Sequence, residues 1–136
     1  MKKISALVLF ILLLAAPMLS AARKVGYYTS KKKVSFLFYP RGIKTKIKTV
    51  NVAGSFNGWK PTLRWWKMWH YKKGKCWILS MPKRVIKKGK RGKSGKYEFK
   101  FVVNGTQWVM PPKWTPNKAE DGYGGRNLII LDKDLK

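Results

Sequence analysis

From residue 34 onward, apolar and polar positions alternate with a period of two, which is the spacing of strands with one buried face. VSFLFYP at 34–40 is rich in branched and aromatic residues, TVNVAGS at 49–55 alternates, and CWILSM at 76–81 puts Trp77, Leu79 and Met81 on one side. The clearest case is YEFKFVVNG at 97–105, where Tyr97, Phe99, Phe101 and Val103 face one way and Glu98, Lys100 and Val102 the other. NLIIL at 127–131 reads as the last strand. Between these runs stand turn signals: PRG, NGWKP, KKGK, NGTQ, MPPKWTPNK and DGYGG. No segment of this region shows a helical stripe. WWKMWHYKK at 65–73 follows Pro61 and precedes Gly74, so it reads as a loop with a short strand. The pattern predicts an all-β fold, an antiparallel sandwich of the immunoglobulin type.

The two ends break the pattern. MKKISALVLFILLLAAPMLSAA at 1–22 combines two lysines, an apolar run and a small-residue end, the order of a secretory signal cleaved before Arg23. The run is shorter than the ~20 residues of a membrane span, so no stable span is expected after cleavage, and the product is expected to be secreted or periplasmic. RKVGYYTSKKK at 23–33 reads as a basic, flexible lead-in, 34–132 as the sandwich and 133–136 as a tail. The loop KRVIKKGKRGKSGK at 83–96 reads as mobile, because closely spaced like charges repel.

Charge adds a second theme. Thirty-one basic residues against five acidic ones give +26, and loss of Lys2 and Lys3 with the signal leaves +24. Such a field attracts polyanions without needing a specific site. The same scarcity of acids argues against hydrolysis of a sugar bond, which usually needs two opposed carboxyl groups. Glu120 and Asp121 are neighbours in a turn, Asp132 and Asp134 lie in a basic tail, and Glu98 has no evident partner. His70 is the single histidine and Cys76 the single cysteine, which leaves no internal disulfide, no nucleophilic triad with an acid nearby, and no cysteine-based metal cluster. No glycine-rich phosphate cradle precedes a helix, so no cofactor is expected and the chain reads as non-catalytic.

What the chain has in excess is aromatic rings: seven Trp, six Tyr and six Phe. A core of this size absorbs about half of them. Exposed indoles stack on the C–H face of a pyranose while Lys, Asn and Gln meet its hydroxyls, and they stack equally well on nucleic-acid bases.

VNVAGSFNGWKP, then GKCW at 74–77, GKYEFKFVVNGTQW and GRNLII resemble, in order, the glycogen-binding module of the beta subunit of AMP-activated protein kinase. They are also similar to the early-set domains of isoamylases and branching enzymes, carbohydrate-binding module family 48. The resemblance spans about 34–132. It implies an early-set immunoglobulin-like sandwich that binds alpha-1,4-glucan such as glycogen or starch without catalysis. Carried over by motif, Trp59, Lys100 and Trp108 would form the sugar platform and Asn127 would hold hydroxyls; Tyr123, as another stacking ring, and Gln107 are secondary candidates outside that carry-over. The chain departs from the family in having WVMPP where members often carry Asp-Pro, and Tyr123 and Gly125 where the kinase module has leucine and threonine.

Two other readings stand beside this one. In the first, the sandwich is a scaffold and a basic surface binds an anionic envelope polymer, lipid headgroups or nucleic acid. Lys83, Arg84, Lys87, Lys88, Lys90, Arg91, Lys93 and Lys96 would carry that binding, together with the lead-in. In the second, the chain is a subunit that docks a protein partner supplying the catalysis.

Overall fold

The computed structural model describes residues 24–136 and shows an antiparallel β-sandwich. One sheet has the order β1-β2-β5-β4, from Tyr27–Thr29, Lys33–Phe38, Cys76–Pro82 and Trp69–Tyr71. The other has the order β3-β6-β9-β8, from Val50–Gly54, Tyr97–Val103, Arg126–Ile130 and Lys118–Glu120, with β7 (Gln107–Trp108) added against β6. The all-β class and the strands expected from the period-two runs are therefore present. The segment at 65–73 is a short 3-10 turn, Arg64–Trp66, followed by β4.

The core lies between the sheets and takes about half of the aromatic supply. Phe36 packs edge-on against Phe99 at 5.0 Å between ring centres, and Phe38 packs on Phe101 at the same separation. Phe56 and Trp66 continue the stack at 5.0 Å. Edge-to-face and tilted pairs of this kind add to the burial of apolar area because the ring edges are positive and the faces negative. The core face of β6 is the expected one, with Tyr97, Phe99, Phe101 and Val103 all buried. Cys76 opens β5 as a small buried residue.

Three segments differ from the sequence reading. The lead-in is no loose arm: β1 pairs with β2, and Tyr27 is buried, with its hydroxyl donating to Asp134 at 2.5 Å. The tail is likewise packed, since Asp132–Leu135 forms a 3-10 turn with Leu135 in the core. The basic stretch at 83–96 was expected to be a mobile loop, but its first part is a helix, α1 (Lys83–Lys88). Ile86 is fully buried, Val85 packs against the core and the Tyr97 hydroxyl donates to the Lys87 carbonyl, so these contacts outweigh the repulsion that charge spacing suggests. Gly89 then passes so close to the Phe56 backbone that a Cβ there would overlap it. The signal expected at 1–22, with cleavage before Arg23, lies outside the described residues. Among those described, no helix is long and apolar enough to cross a membrane.

Candidate functional site

The outer face of the second sheet carries a cleft of about 540 Å³, lined by Trp59, Gly92, Lys93, Glu98, Lys100, Trp108, Glu120, Asp121, Tyr123 and Asn127. Its two indoles arrive by separate turns. Asn57 ties the first: its Oδ1 accepts from the Gly54 N–H at 2.9 Å and its Nδ2 donates to the Val52 carbonyl at 3.0 Å. The chain then reverses through Gly58 and Trp59, both left-handed at φ 71° and 58°. A bulky residue in that region is strained, and the Trp59 N–H donating to the Gly54 carbonyl at 2.9 Å helps hold it there. The second turn uses left-handed Asn104 and Gly105 to fold β7 back on β6, which sets Trp108 opposite Val102. Because cross-strand partners share a face, Trp108 stands on the side of Lys100 and Glu98. The rings of Trp59 and Trp108 meet at 6.3 Å with an angle of 45° between their planes. Trp59 is half-buried and Trp108 is 42% exposed.

The polar side of the cleft is built from β6, β9 and the turn after β8. Lys100 differs from its expected state. Its position on the β6 face away from Phe99 and Phe101 predicts an ammonium open to a ligand, but Lys100 is largely buried and donates to Asp121 Oδ2 at 2.6 Å. Its face of β6 is closed over by the turn after β8, so the alternation that points Lys100 away from the core does not leave it in open water. Asp121 also organises the next turn, since its Oδ1 accepts from the N–H groups of Tyr123 and Gly125 at 2.8 and 2.9 Å. The Lys100 hydrogen bond, then the Tyr123 N–H, bring the Asp121 carboxyl down to about 2. Tyr123 itself is 90% exposed at the tip of that turn. A side chain at Gly125 would overlap Met110 and Asp121, which explains why no hydroxyl-bearing residue stands there.

Glu98 has the partners that the sequence did not reveal. Its Oε1 accepts from Asn127 Nδ2 at 2.9 Å, and its Oε2 accepts from the N–H and hydroxyl of Ser94 at 3.0 and 2.9 Å. Gly92 crosses directly over this carboxylate, where a Cβ would overlap it. Glu98 and Asp121 thus spend their oxygens on intramolecular donors and hold the walls of the cleft in place.

Of the expected sugar-binding residues, the structure brings Trp59, Lys100, Trp108, Asn127 and Tyr123 into one cleft. Gln107 is not among its lining. Its register partner is Val103, on the core side of β6, so it projects from the opposite face of β7 to Trp108. Sequence reasoning assigned Lys93 to the basic surface and not to this cleft, and it missed Glu98, Glu120 and Asp121. Glu98 was legible as lying on the Lys100 face, whereas the other three reach the cleft only through strand order and loop path.

The eight cations of the 83–96 stretch do not form one free surface. Arg91 and Lys96 both bind Asp132, at 2.8 and 2.7 Å, and Arg91 covers the Tyr97 ring. Lys83 donates to the Lys136 carbonyl, and Lys93 joins the cleft. Arg84, Lys87, Lys88 and Lys90 remain exposed on and just after α1. Among the described residues, no group of acids, histidine and cysteine is placed to hold a metal ion.

No protein-family model matches the chain, and no curated protein matches it.

Proposed function

We propose that this protein is an exported, non-catalytic carbohydrate-binding module whose cleft takes an alpha-1,4-linked glucan of the glycogen or starch type. The observation that carries the reading is the makeup of the cleft: two indoles set at 45°, beside three of the five acids in a chain of thirty-one bases. Glu98, Glu120 and Asp121 outnumber Lys93 and Lys100 there, so the cleft attracts polyanions less than the rest of the surface does. A neutral polyol fits such a lining. The tilt of the rings favours a curved chain, because successive sugars of a flat, extended glucan would need coplanar rings. Trp59 and Trp108 stack on two sugars, and Tyr123 extends the platform at its rim. Lys100, with two N–H groups beyond the one given to Asp121, is a fixed donor to hydroxyls beside Asn127.

A shallow site of this kind binds with Kd of about 10 to 1000 µM, or about 4 to 7 kcal/mol. Native electrophoresis of the cation through gels containing glycogen, amylopectin or no polysaccharide tests the reading. Retardation is expected to persist at high salt, since stacking on a neutral sugar releases no counterions, and to vanish in the Trp59→Ala/Trp108→Ala double variant. Unchanged retention of the double variant would defeat the assignment.

A further inference from the structure

A second pair of exposed indoles lies on the other sheet. Trp65 is 75% and Trp69 78% exposed, among the most open large side chains in the described protein. The 3-10 turn before β4 and the β4–β5 edge together shape them into a groove of about 690 Å³ that also presents Arg64, Lys67, His70 and Ser80. No residue of this groove lines the first cleft. Its charge is of the opposite kind. All five acids of the chain are placed elsewhere: three line the first cleft, and Asp132 and Asp134 are paired near the chain end. The groove therefore carries cations beside its rings and no carboxylate to compensate them.

We infer that the Trp65–Trp69 groove is a second binding site, one that takes an acidic polysaccharide of the uronic-acid type. Indoles provide the stacking surface for pyranose rings, and Arg64 and Lys67 provide the counter-charge. Ring and cation are adjacent: the Arg64 guanidinium lies over one face of the Trp65 ring, 5.4 Å from its centre, while Trp65 stays 75% and Trp69 78% exposed for stacking. A uronic acid carries its carboxylate one bond from the ring that stacks, which matches that closeness. A nucleotide holds its phosphate a whole sugar away from the base. The concave shape suits a polymer chain better than a flat bilayer surface. The two sites sit on different sheets of one sandwich and share no side chain, so the groove stands whether or not the first cleft binds glucan.

Titration of the protein with polygalacturonate, followed by calorimetry at a fixed moderate salt concentration, reads the proposal. Trp65→Ala/Trp69→Ala is expected to weaken binding about tenfold or more, and Arg64→Gln/Lys67→Gln to weaken it and flatten its salt dependence. Trp59→Ala/Trp108→Ala is expected to leave it within about twofold, while the same variant reports separately on glycogen. Thermal midpoints check that each variant is folded, which the exposure of the replaced rings favours. Failure of the unaltered protein to bind polygalacturonate would overturn the inference, as would equal binding by the Trp65→Ala/Trp69→Ala variant. Tighter binding of poly(dT), lost in that same variant, would overturn it in favour of nucleic acid.

Discussion

Two hollows walled by tryptophan pairs lie on different sheets of this sandwich, and they hold their charges in different ways. In the first, Lys100 is locked to Asp121 and Glu98 to Asn127 and Ser94, so these charges are fixed by hydrogen bonds before any ligand arrives. In the second, Arg64 leans over Trp65 and no acid is within the lining. The difference shows how a strongly cationic protein can carry a site with little net attraction for anions. Three of its five acids line the first cleft, where they offset the field locally, and the groove's lining leaves the field unopposed.

Breaking the lock gives the largest expected effect. Lys100→Met leaves the Asp121 carboxylate buried without its cation and is expected to cost about 3 kcal/mol in urea unfolding. The matching change in the groove, Lys67→Met, is expected to stay within about 0.5 kcal/mol, because Lys67 is exposed. Equal losses at the two positions would erase the contrast.

Acid sharpens it further. The Asp121 carboxyl is depressed to about 2 in the folded protein from an ordinary 3.8. Its contribution to stability is therefore complete above the higher value and is lost as pH falls through the lower one. Urea midpoints between pH 5 and pH 2 should decline, and Asp121→Asn should flatten part of that decline. Asp132, held down to about 2 by Lys96 and Arg91, accounts for another part. An acid limb unaltered by Asp121→Asn would show that the Lys100 pair contributes nothing. The smallest effect concerns Trp59. Its φ of 58° suits glycine better than any side chain, so Trp59→Gly should be about 1 kcal/mol more stable than Trp59→Ala. Both variants should lose glucan retention in the gel.

The strands were legible because alternation at 34–38, 50–54, 76–81 and 97–103 is a local property of the chain. So was the grouping of Glu98 with Lys100 on one face. The partner of Lys100 was not legible, since Asp121 is twenty-one residues away and reaches it only through the order β6-β9-β8. Long-range placement also hides the packing of the two ends: Tyr27 is tied to Leu131 and Asp134 near the far end of the chain, and Leu135 joins the core cluster. The helix at Lys83–Lys88 was hidden by its lysines, and only the Val85-Ile86 pair in KRVIKK hinted at an anchored face. Trp59 and Trp108 come together in one cleft because each follows a short turn motif that acts locally. Gln107 was assigned to the same site, and its strand parity sends it elsewhere.

The left-handed turn at Gly58 and Trp59 bears on the speed of recognition as well as its strength. Asn57 bridges the Gly54 N–H and the Val52 carbonyl, so the indole is preorganised when the chain folds. Little loop freedom then remains to be lost at encounter. For the glucan proposed above, the ring would already stand in its bound attitude at encounter, and capture would be governed by diffusion and orientation, with no wait for the turn to rearrange.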